Sequence, residues 1–77
     1  MKIEILGTGC AKCRTLEARV REAVEQLGSD AQVEKVEDLP AILSYGVMMT
    51  PALAIDGDVK IMGKVPDVAE IKKLIGG

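Results

Sequence analysis

A chain of 77 residues with a formal net charge of −2 suits one small domain, 1–77, near the lower size limit for a self-sufficient core. It has no Phe, no Trp and one Tyr, so aliphatic side chains and methionine must fill the interior; nucleic acid, which wants a basic field and stacking aromatics, is excluded as a partner. No apolar run approaches ~18 residues, which excludes a membrane-spanning helix, and the acid in Met1-Lys2-Ile3-Glu4 does not suit a secretory signal, which favours the cytoplasm.

Lys2 to Leu6 reads as a strand with Ile3 and Ile5 on one face, and Gly7-Thr8-Gly9 as a flexible turn. From Ala11 to Leu27 the apolar residues Leu16, Val20, Ala23, Val24 and Leu27 recur at helical spacing, and Gly28 is a natural terminator. Ala31 to Val36 reads as a second strand. Asp38 can cap a short helix that tolerates Pro40 in its first turn, buries Ile42, Leu43 and Tyr45, and ends at Gly46. Ala52 to Ile55 is a short, fully apolar run expected to be a buried strand. Asp56-Gly57 signals a hairpin, with Val59 to Met62 returning. After Gly63 and Pro66, Asp67 and Glu70 form a capping-box-like start, and Val68, Ile71, Leu74 and Ile75 give a last helix its apolar stripe. The order is βαβαββα, an α/β architecture. The helical crossover implies parallel pairing of the first two strands, and the hairpin adds an antiparallel pair. A mixed four-stranded sheet flanked by three helices follows.

The only cysteines, Cys10 and Cys13, stand in Cys10-Ala11-Lys12-Cys13, where the first strand gives way to the long helix. A structural bridge between them would close a tiny loop, and the chain-entropy gain would be only about 2 kcal/mol. Chemistry is the better reading. Unpaired amides and the positive dipole end at a helix start favour a thiolate. A free cysteine titrates near pH ~8.5, whereas such motifs reach about 7. Cys10, nearest the helix start and preceded by a glycine-rich turn, is the expected nucleophile. Cys13, one turn further in, is the expected resolving thiol. Lys12 is a candidate for tuning the thiolate by charge. Tyr45, Met48 and Met49 read as core or rim packing.

These features together resemble the thioredoxin superfamily, and most closely its small glutaredoxin-like, redox-active disulfide proteins of archaea and bacteria. Besides the C-x-x-C beside a βαβ pattern, Tyr45-Gly46-Val47 followed by Thr50-Pro51 resembles the segment leading to the superfamily's cis-proline. Asp56-Gly57-Asp58 matches its hairpin, and Gly63 its glycine after the last strand. The resemblance covers essentially the whole chain. It implies a protein dithiol–disulfide oxidoreductase without a cofactor or metal. It implies a cis peptide before Pro51, with the Thr50 backbone and Gly9 meeting an extended substrate segment. It also implies a buried acid six positions before the first cysteine, here Glu4, that moves the resolving thiol's proton. The expected partners are protein disulfides and an upstream reductase of the thioredoxin-reductase kind, with the chain acting as a monomer. Gly9 replaces the usual aromatic before the first cysteine, and Ala11-Lys12 the usual Gly-Pro between the two. No aromatic flanks the motif and the last helix lacks a glycine-rich start, which counts against glutathione as a partner.

The rival reading is a soft-metal chaperone. Gly7-Thr8-Gly9-Cys10-Ala11-Lys12-Cys13 is also similar to the cysteine loop of heavy-metal-associated domains, and two thiolates suit Cu(I). Those domains run βαββαβ and end in a strand, whereas a capped helix is expected last here.

Overall fold

The structure is a computed structural model that describes residues 1–76. Its elements are β1 (Lys2–Leu6), α1 (Ala11–Leu27), β2 (Gln32–Val36), α2 (Leu39–Ser44), β3 (Ala52–Ile55), β4 (Asp58–Met62) and α3 (Val68–Gly76). The sheet order is β2-β1-β3-β4. β1 and β2 are parallel, with Ile3 opposite Val33; β1 is antiparallel to β3, and β3 to β4. The expected βαβαββα order, mixed sheet and three helices are all present. β2 starts one residue later, at Gln32, and β4 one earlier, at Asp58; α3 runs Val68–Gly76 rather than Asp67 to Ile75, and α2 ends at Ser44 with Tyr45 as its cap.

Alternation along the central strands splits the interior into two layers. Ile3 and Ile5 of β1 and Leu53 and Ile55 of β3 face α1 and α3, meeting Leu16, Val20, Ala23, Ile71 and Ile75. Leu6, Ala52 and Ala54 point the other way and meet Ile42 and Val47. Every residue of β3 is buried, as a continuous apolar run in a central strand should be.

Two side chains depart from expectation. Leu43 is 60% exposed rather than buried. A helix of six residues makes fewer than two turns, so its inward stripe is narrow. Ile42 fills that stripe, and half-buried Tyr45, three positions on, lies on the same side. Leu43 is turned ~100° away. Leu74 lies at the margin of the α3 stripe and lines a groove of about 310 Å³ against Lys60, Met62 and Pro66.

Caps match the residues read as caps. The Asp38 carboxylate accepts from Ala41 N–H at 3.1 Å, and that of Asp67 from Glu70 N–H at 2.9 Å. Gly28 closes α1 in the left-handed region, at φ 63°, with its N–H donating to Glu25 O. Among the described residues no helix is long and apolar enough to cross a membrane.

Candidate active site

β1 ends against α1 through the turn at residues 7–9, and this turn places both sulfurs. Gly9 has φ +87°, a conformation that favours glycine, and delivers Cys10 to the N-cap of α1. Cys10 is extended there, at φ −70° and ψ 169°, and its Sγ accepts from Cys13 N–H at 3.3 Å. A sulfur thus takes the place usually held by a capping oxygen. Cys13, in the first turn of α1, is 5% exposed. Both thiols are free, with their sulfurs 2.8 Å apart.

The two thiols are driven in opposite directions. Donation from the Cys13 thiol, helped by the Cys13 and Lys12 amides, holds Cys10 below the usual cysteine range. Burial pushes Cys13 up, and the adjacent Cys10 sulfur adds to the effect. Cys10 is therefore the sulfur that ionises first, and Cys13 keeps its proton and donates it toward that thiolate. The exposed sulfur is the activated one and the buried sulfur is its hydrogen-bond donor.

Thr50-Pro51 is a cis peptide. Pro51 is buried, and its carbonyl accepts from Gly63 N–H at 2.8 Å, which ties the loop before β3 to the end of β4. Gly7 lies where these parts meet. A Cβ built on it would stand 2.3 Å from Cys13 Sγ and 3.9 Å from Pro51 Cα. Cys10, Cys13 and Pro51 are thus assembled around the end of β1. Thr50 and Gly9 are exposed beside them, as is Lys12, which forms no ion pair among the described residues. Met48, 88% exposed, and Met49 stand just before Thr50, and Met49 covers Gly63.

Glu4 is 7% exposed in the middle of β1, on the face that turns toward α2. Its Oε1 accepts from the Tyr45 hydroxyl at 2.7 Å. That bond, together with burial, pushes the Tyr45 phenol up. A buried carboxylate needs a donor, and Tyr45 carries the chain's one phenol, so the pairing had a signal in the sequence. Read alone, Tyr45 looks like packing. Gly7 was hidden more deeply, because Gly7-Thr8-Gly9 reads as a flexible turn although Gly7 itself is buried.

A sequence profile of the Thioredoxin domain family matches residues 1–76. The chain belongs to the thioredoxin family. It is 52% identical over 75 residues to a protein named thioredoxin from Methanothermobacter thermautotrophicus, an alignment covering 97% of each chain. It is 45% identical over 71 residues to a thioredoxin from Methanocaldococcus jannaschii, covering 92% of this chain and 81% of the relative. A probable thioredoxin from Methanothermobacter marburgensis is 34% identical over 67 residues, covering 82% and 79%. Thioredoxin-family membership makes the chain a thiol–disulfide oxidoreductase in the broad sense.

Proposed function

We propose that this chain exchanges electrons with disulfides of other proteins through Cys10 and Cys13. The observation that carries the reading is the pair of free sulfurs 2.8 Å apart, one exposed and lowered in pKa, the other buried and raised. The Cys10 thiolate attacks one sulfur of the substrate disulfide. The substrate S–S bond breaks, its second sulfur leaves as a thiolate, and Cys10 is joined to the first sulfur. Cys13 then loses its proton and attacks Cys10 Sγ. The mixed disulfide breaks, the substrate's first sulfur leaves, and Cys10–Cys13 closes. Two electrons pass to the substrate, whose thiolates take up protons, and an upstream disulfide reductase returns the pair to the dithiol.

In this reading Thr50, Pro51 and Gly9 line the path of an extended substrate segment, and Lys12 adds positive charge at the mouth. Glu4 takes the proton from Cys13 at the closing step; its burial supports this. Glu4→Gln should slow closure and leave the initial attack by Cys10 intact. One chain of one domain acts as a monomer in the cytoplasm, on protein disulfides.

The test is dithiothreitol-driven reduction of a model protein disulfide. Turnover is expected, with loss on Cys10→Ser and accumulation of a mixed disulfide on Cys13→Ser. Stoichiometric Cu(I) binding without exchange would overturn it in favour of a metal carrier. That rival reading rests on the two thiols alone, since the last element is α3 and not a strand.

A further inference from the structure

We propose that Gly7 is a positioning residue for the exchange reaction: the side chain it lacks is the space in which the Cys13 sulfur sits, and this keeps the sulfur against Cys10. The inference rests on the reading of Cys10 and Cys13 as the exchanging pair.

Glycine commonly serves where the backbone is left-handed, as at Gly9, Gly28, Gly46, Gly57 and Gly63. Gly7 is not among them, so its φ does not call for glycine. What it cannot accept is volume. An added Cβ would lie 2.3 Å from Cys13 Sγ and 3.3 Å from Cys13 Cβ, against about 3.5 Å or more for unstrained contact between such atoms. Neither side can retreat freely. Gly7 N–H donates to Val36 O at 3.0 Å, continuing the β1–β2 pairing past the last residue of β1. Cys13 is held in the first turn of α1. The remaining freedom is rotation of the sulfur about Cα–Cβ into another staggered position, which takes it away from Cys10.

The two redox states feel this differently. Reduced Cys13 can rotate and lose only a hydrogen bond. The closed disulfide requires the sulfurs within about 2.05 Å of each other, so it cannot use that escape. An alanine at position 7 therefore penalises the oxidised form more, and it penalises the closing attack in which Cys13 Sγ bonds Cys10 Sγ and the substrate sulfur departs as a thiolate.

The test is a cycle of Gly7→Ala, Cys13→Ala and the double variant beside wild type. In glutathione redox buffers, Gly7→Ala should lower the equilibrium constant for closing Cys10–Cys13 at least tenfold, which is about 30 mV for two electrons. The pH midpoint for alkylation of Cys10 should rise, because the donor thiol has turned away. With Cys13→Ala the sulfur is gone and only the 3.3 Å approach to the Cβ at position 13 remains, so adding Gly7→Ala should leave the Cys10 midpoint unmoved and lower the thermal midpoint clearly less than it does with Cys13 present. If Gly7→Ala alone does not fold, the double variant should. Wild-type behaviour of Gly7→Ala, or an undiminished effect of it on a Cys13→Ala background, overturns the proposal. Turnover of wild type on a protein disulfide is read in parallel. Its absence would sink the functional reading, while the disulfide equilibrium would still judge Gly7.

Discussion

The Cys10–Cys13 pair makes each sulfur depend on the other. The largest influence lowering Cys10 is the Cys13 thiol, and only then the helix-start amides. Cys13→Ala should therefore raise the pH midpoint of Cys10 alkylation toward that of free cysteine, measured by iodoacetamide rates across a pH series. The Tyr45–Glu4 bond has its own signature. Tyr45→Phe leaves a buried carboxylate oxygen without its donor and should cost about 1–3 kcal/mol in urea unfolding. The neutral phenol is the bonding form, and its folded pKa lies above the unfolded value. Its contribution is complete below the unfolded pKa, about 10, and is lost as pH rises through the folded one. Tyr45→Phe should abolish that part of the alkaline stability loss. Cys10, Cys13 and Thr50-Pro51 could be read from the sequence because each is a local pattern. The part played by Gly7 could not, since it arises from contact with a side chain brought in from another element, and that of Tyr45 follows only once Glu4 is known to be buried.

At the scale of elements, periodicity located α1 and α3 because each makes enough turns for an apolar stripe to show. α2 was found by its cap and its proline, and its inward face was half right. Ile42 is buried but Leu43 is not, because tertiary contact chooses the face of so short a helix. Asp38 matters more in such an element than in a long one. Asp38→Ala removes the acceptor for Ala41 N–H and should cost about 1 kcal/mol by urea denaturation. It should also loosen Tyr45, which forms the C-cap of the same helix.

For the molecule as a whole, the order of elements and the parallel β1–β2 pair followed from the crossover, and the β3–β4 pair from Asp56-Gly57. The neighbouring of β1 and β3 was not written in any local signal. It follows from burial: both strands are apolar enough to be covered on each face, so they take the centre and leave β2 and β4 as edges. Leu53 lies in that centre, fully buried. Leu53→Ala should cost about 2–5 kcal/mol, a large share of the roughly 5–15 kcal/mol available to a small protein. Its melting temperature should fall by about 10 °C or more, as read by calorimetry.

The stretch between β4 and α3 has no regular pairing of its own, yet two of its carbonyls are spoken for. Arg19, midway along α1, donates through Nη1 to Val65 O and Pro66 O, each at 3.1 Å. The helix that starts at the reactive sulfur thus grips the strap leading into the last helix. Cutting that grip with Arg19→Ala would leave α3 held by its apolar face and the Lys72–Gln26 contact. Deuterium uptake along residues 68–75 would then quicken ahead of the sheet, so the C-terminal helix would become the first part of the protein to open.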